Sequence, residues 1–120
     1  FKSDFTDLSQ VDDLMNNAIN YLDGLDILVN NAGTMVGRYQ LDTISEKDFL
    51  KIFDLNAKSA YFATKSACTI FKKQNYGNII NVSTISAEQE AVRGRVYTLH
   101  LKLLFQQLLD RLFQNYHPTI

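Results

Sequence analysis

The sequence predicts an α/β fold with a parallel strand pair, and three observations predict it. The run Leu25-Asp26-Ile27-Leu28-Val29 is a short apolar stretch of the kind found in strands buried on both faces, and Asn78-Ile79-Ile80-Asn81-Val82-Ser83 reads as a second strand. Amphipathic stretches of helical period lie before, between and after the two. The order helix, strand, helix, strand, helix implies parallel strands joined by a right-handed crossover.

The first helix spans about Ser9 to Leu22. Val11, Leu14, Met15, Ala18, Ile19 and Leu22 recur at i, i+3, i+4, i+7, i+8 and i+11, which is one helix face. Ser9 followed by Asp12 resembles a capping box with Asp in place of Glu, and Gly24 stands where a helix stop is expected. After the first strand, Asn30-Asn31-Ala32-Gly33 reads as a tight exit. Ser45 with Asp48 starts a long helix over about Glu46 to Lys73. Phe49, Ile52, Phe53, Asn56, Ala57, Ala60, Ala63 and Ala67 line one broad face of it, and its small residues permit close packing on a sheet or another helix. Gly77 breaks the pattern ahead of the second strand. A last helix covers roughly Thr98 to Tyr116, and His117-Pro118 ends it. With five Gly, one Pro and no linker or repeat, residues 1–120 read as a single partial domain.

Composition excludes several functions. Twelve Lys and Arg against thirteen Asp and Glu leave no basic excess to meet phosphates, which argues against nucleic-acid and membrane-surface binding. The single cysteine, Cys68, excludes an internal disulfide framework and a cysteine-rich zinc site, and it reads as a packing residue. His100 and His117 have no metal-ligand partner pattern. No apolar run approaches the roughly 18 to 20 residues of a membrane helix. No signal-peptide pattern opens the chain, so the expectation is a cytoplasmic protein.

Ligands of open α/β sheets bind beyond the carboxyl ends of the strands. Two polar clusters fall there: Asn30-Asn31-Ala32-Gly33 and Ser83-Thr84-Ile85-Ser86. Ala32 and Gly33 let a ligand approach the backbone closely. The hydroxyls of Ser83 or Thr84 can hydrogen-bond a substrate oxygen, and Tyr97, just ahead of the last helix, can serve as a phenolic acid/base.

These residues carry a resemblance. Leu25 to Gly33 resembles the LDILVNNAG signature of the short-chain dehydrogenase/reductase family. Asp4-Phe5 before the first helix, Asn56 within Phe53-Asp54-Leu55-Asn56, the stretch from Gly77 to Ser86 and Tyr97 resemble further landmarks of that family, in its order. The resemblance covers about Lys2 to Tyr97. It implies a partial Rossmann-like, doubly wound parallel sheet, three layers in the complete family fold, with NAD or NADP as cofactor. It also implies hydride transfer between the nicotinamide and a small-molecule alcohol or carbonyl substrate, 3-oxoacyl, sugar or polyol compounds being typical.

Residue by residue, Asp4 matches the acidic group that hydrogen-bonds the adenine amino group. Phe5 matches the neighbour whose backbone lies against that ring. Asn31, Ala32 and Gly33 match the segment passing the adenosine ribose. Asn56 matches the Asn of an Asn-Ser-Tyr-Lys tetrad, which holds a water in a proton relay. Thr84 stands thirteen residues ahead of Tyr97, where the family has its catalytic Ser. Thr keeps the hydroxyl but adds a methyl and stiffer rotamers. Family members commonly pair through their two long helices, which implies a homo-oligomer, dimer or tetramer, in the complete protein.

The sequence departs from the family after Tyr97. The motif Tyr-x-x-x-Lys calls for Lys at position 101, which is Leu101, and the nearest lysine is Lys102. On a regular helix, Leu101 lies about 40° around the axis from Tyr97, and Lys102 about 140°. A one-residue π-bulge restores the alignment of Lys102; a reading-frame change shortly after Thr98 also accounts for the abrupt loss of pattern. The Gly-rich phosphate loop and the substrate region of the family have no counterpart here, so the resemblance implies a central fragment with impaired activity. The helices present would all cover one face of the sheet and leave the other bare. The alternative is an inactive remnant, or a non-catalytic oligomerisation or interaction module.

Overall fold

The computed structural model describes residues 1–34, 36, 37, 39, 42–82 and 107. In chain order these form α1 (Leu8–Leu22), β1 (Ile27–Asn30), α2 (Glu46–Phe53), one π turn (Asp54–Lys58), α3 (Ser59–Gln74) and β2 (Asn78–Asn81). The expected last helix, the cluster from Ser83 to Ser86, and Thr84, Tyr97 and Lys102 lie outside the described residues. Gln107 is helical and exposed.

The cap of α1 differs from the expected one. Asp7, not Ser9, is the N-cap: its Oδ1 accepts the Ser9 N–H at 3.0 Å and the Ser9 hydroxyl at 2.7 Å, and its Oδ2 accepts from the Gln10 carboxamide at 3.1 Å. These bonds, the Ser9 hydroxyl first, hold the Asp7 carboxyl below its ordinary pKa. Ser9 is thereby consumed as a donor, and the acceptor two residues earlier wins the helix start. Asp12 instead accepts a 3.5 Å bond from Ser66 on α3. At the far end Asp23 takes the left-handed conformation (φ 55°), followed by Gly24 at φ 140°. Of the expected apolar face, Val11 and Met15 are buried, while Leu22 stays exposed.

The expected helix over Glu46 to Lys73 forms as α2, the π turn and α3 in direct succession. Ser45 caps it, accepting the Asp48 N–H at 3.1 Å, as its spacing from Asp48 predicts. Ala63 and Ala67 of α3 meet Val11 and Met15 of α1 in the core, with Phe5, Ile19, Leu25, Leu28 and Phe71 packed around them. Two small residues one turn apart are what allow the two helices to approach this closely.

β1 and β2 pair in parallel from Ile27↔Asn78 to Asn30↔Asn81. β1 is shorter than the expected strand, and a side chain explains where it begins. Gln74, at the end of α3, accepts the Leu25 N–H at 3.1 Å and donates to the Leu25 carbonyl at 2.7 Å, as a neighbouring strand would. The apolar run predicts burial on both faces; among the described residues, helices cover one. Leu28 packs on the helices, whereas Ile27 and Val29 are each 52% exposed and Ile80 is 50% exposed. Among the described residues, α1 and α3 supply the cover, on the Leu28 side.

Gly77 makes the turn from α3 into β2 at φ 155°, and a methyl group added there would overlap the Phe71 ring. Both effects oppose any side chain. Gly77→Ala is therefore expected to lower stability by about 1–3 kcal/mol, read as a reduced urea midpoint with an unchanged slope.

Candidate active site

Hydrogen bonds tie the carboxyl ends of the two strands together. Asn30 and Asn81 are register partners, and Asn30 Nδ2 donates to Asn81 Oδ1 at 2.8 Å. The same Nδ2 donates to Thr64 Oγ1 on α3 at 2.9 Å. The backbone ladder ends beside them, where the Val82 N–H donates to the Asn30 carbonyl at 3.0 Å. From this knot the chain leaves as Asn31-Ala32-Gly33-Thr34, with Asn31, Gly33 and Thr34 exposed and Ala32 half-buried.

Asn56 meets that segment from the helix side. It is 1% exposed. Its Oδ1 accepts the Thr34 N–H at 3.1 Å, and its Nδ2 donates to the Thr34 carbonyl at 3.2 Å and to the Ile52 carbonyl at 2.9 Å. Both Nδ2 protons are thus engaged. The side chain acts as a backbone mimic that fixes Thr34, the residue after Gly33.

Asn56 also sits within the π turn. There the Ser59 N–H reaches back to the Asp54 carbonyl, and the Ser59 hydroxyl donates to the Leu55 carbonyl at 2.7 Å. An α turn would have used the Ser59 N–H for Leu55; the hydroxyl takes its place. Irregular turns of this kind concentrate at functional sites.

Asp4 and Phe5 lie ahead of α1. Asp4 Oδ1 accepts the Thr6 N–H at 2.9 Å and its hydroxyl at 2.7 Å, which holds the carboxyl below its ordinary pKa, the backbone bond contributing most. Oδ2 carries no hydrogen bond among the described residues, so an exposed, ionised acceptor remains. The Phe5 ring packs against the core, and a shallow depression lined by Lys2, Ser3, Asp4, Phe5, Gln10 and Leu55 joins this corner to the π turn. Burial pushes the Cys68 thiol up, which agrees with its reading as a packing residue.

The structure therefore ties Asn56 to Thr34, the residue that follows Asn31, Ala32 and Gly33, and lines one depression with Asp4, Phe5 and Leu55. The sequence reading missed Thr64, Asn81, Ser59 and Gln74. Thr64 is the one that a signal could have revealed: a polar residue two helical turns after Asn56 falls on the same buried face.

The family model described as short chain dehydrogenase matches residues 1–115. A 2-dehydro-3-deoxy-D-gluconate 5-dehydrogenase from Escherichia coli (strain K12) is 36% identical over 102 residues, covering 82% of this chain and 40% of that protein. The chain thus spans about two fifths of the length of that curated relative. Among solved structures, NADH-dependent reductase A1-R′ complexed with NAD superposes with a TM-score of 0.75 at 25% identity, covering 96% of this chain and 48% of that one. ElxO with NADP bound superposes with a TM-score of 0.65 at 33% identity, covering 72% and 35% respectively. The Rossmann-like α/β expectation holds, and the expected cofactors, NAD or NADP, are those bound in these two relatives.

Asn56 gives a pH-dependent test of its clamp. Asn56→Ala removes three hydrogen bonds, with an expected loss of about 1–3 kcal/mol at any pH from 5 to 8. Asn56→Asp instead buries a carboxyl, and desolvation raises its pKa above the roughly 3.9 of the unfolded chain. Its stability deficit is therefore smallest at low pH and grows as pH rises through that window, which urea melts at pH 5 and pH 8 will show.

Proposed function

The chain belongs to the short-chain dehydrogenase family, and from that premise we propose that it serves an NAD(P)-dependent oxidoreductase acting on an alcohol/carbonyl pair. One observation supports this above the others. Asn56, the proposed tetrad residue, clamps Thr34, which follows the segment Asn31 to Gly33 leaving the carboxyl end of β1, where sheets of this class bind ligands.

The residues present suit a dinucleotide. Ala32 and Gly33 have no bulk to oppose its approach, and Asp4 offers an ionised acceptor for an amino group. When bound, NAD(P) supplies or accepts the hydride. In the proposed chemistry the Thr84 hydroxyl donates to the substrate carbonyl oxygen. The Tyr97 phenol gives that oxygen its proton in reduction and takes it back in oxidation. A free Tyr titrates near 10, so a neighbouring cation is needed to bring it toward neutrality. Lys102 is the candidate for that cation. A sugar-acid, polyol or 3-oxoacyl compound is the proposed substrate class, and the name of the Escherichia coli relative supports the first.

Leu101 in the slot for the tetrad Lys favours a second reading, a non-catalytic remnant or interaction module. Nucleotide binding separates the two. Titration of the chain with NADH and NADPH, followed by nicotinamide fluorescence, is expected to show saturable binding of at least one. Asp4→Ala is expected to weaken it about threefold to tenfold, the worth of one hydrogen bond. A folded chain that binds neither nucleotide would move the second reading to the front.

A further inference from the structure

We infer that Thr64 is a positioning residue for the nucleotide-facing edge of this domain, acting through the Asn30 carboxamide. Among the described residues, Asn30 Nδ2 has two acceptors, Thr64 Oγ1 at 2.9 Å and Asn81 Oδ1 at 2.8 Å. A primary carboxamide has two N–H donors, so both are engaged, and they point to different elements. One fixes β1 to α3 and the other fixes β1 to β2. Thr64 is 1% exposed, so no water competes for its oxygen. Without it, one Asn30 proton would lose its partner on α3.

The placement of Thr64 is what gives the bond its reach. Asn56 and Thr64 lie eight residues apart on one continuous helix, about two turns, roughly 12 Å along the axis. Asn56 holds Thr34, at the far end of the segment that leaves β1; Thr64 holds Asn30, at its near end. The segment Asn31 to Gly33 is thereby suspended between two points on the same rigid body. Through Asn81, the Thr64 bond also sets the height at which the chain leaves β2, directly before Val82. One hydroxyl thus registers both exits against the helix. This role rests on the proposed function only in that it names the occupant of the edge as a dinucleotide; the mechanical link stands without it.

Thr64→Val keeps shape and removes the hydroxyl. Amide hydrogen exchange of the chain alone, with no nucleotide present, is the primary readout. The variant is expected to exchange about tenfold faster or more at Asn31, Thr34 and Val82, whose N–H groups are hydrogen-bonded, with Val11 and Met15 of α1 changed less than about twofold. Thr64→Ser, which keeps the hydroxyl, is expected to restore the slow rates. Uniform acceleration at all five amides would mean a merely structural loss of packing and would overturn the inference, as would no acceleration at the three edge amides. Should Thr64→Val fail to fold, the Asn30 side-chain protons of the unaltered chain decide: two resolved, slowly exchanging Nδ2 resonances are expected, and rapid exchange of either contradicts the bond. Because none of these readouts uses nucleotide, failure to bind NADH or NADPH would count against the proposed function and leave this inference standing.

Discussion

The carboxamide of Asn30 is the interaction on which the site depends. It closes the parallel ladder at its carboxyl end and reaches into the helix that crosses between the two strands. A two-stranded parallel pair is a weak object by itself, because its slanted hydrogen bonds need cover to exclude water. Among the described residues, α1 and α3 provide cover on one face. Polar side chains therefore do at the strand ends what packing would do in a sheet covered on both faces. Gln74 performs the matching task at the start of β1, taking the place of a neighbouring strand for Leu25.

From this constraint the arrangement of the site follows. Because the strand ends are fixed to α3, the segment after β1 starts from a defined point. Because Asn56 holds Thr34, it also ends at one. Between them lie Asn31, Ala32 and Gly33, the last two too small to obstruct a ligand. The π turn, with the Ser59 hydroxyl taking the Leu55 carbonyl, is part of the same construction, since it occurs at the residue that carries the clamp. Carboxamides suit such work. They present a donor and an acceptor at peptide-like spacing, carry no charge to desolvate, and so replace missing backbone partners at low cost.

Much of this was legible in the sequence because it follows from periodicity. The face of α1 through Val11 and Met15, the Ser45 cap and the parallel pair all follow from apolar spacing and capping chemistry. The start of α1 was not so legible: Ser9 and Asp7 are both good caps, and only the three-dimensional bonds show that Asp7 takes Ser9 as its donor. The strand limits were misjudged at Leu25, whose pairing comes from a glutamine 49 residues away. Of the proposed site, Asp4, Phe5, Asn31, Ala32, Gly33 and Asn56 are expectations drawn from the family resemblance. Thr64 and Asn81 were not legible, because a single buried Thr on a helix and an Asn at a strand end look like ordinary polar residues until the register pairs Asn81 with Asn30.

The central claim is that a dinucleotide lies across the carboxyl ends of β1 and β2, against the segment held by Asn30 and Asn56. The most direct measurement is a nitrogen–proton NMR titration of the chain with NADH and with NADPH, which detects weak as well as tight binding. The account predicts progressive shifts at Asp4, Phe5, Asn31, Ala32 and Gly33, with the α1 amides of Asn16 and Asn17 unmoved. Saturable shifts confined to other surfaces, or none at millimolar nucleotide on a folded chain, would contradict it.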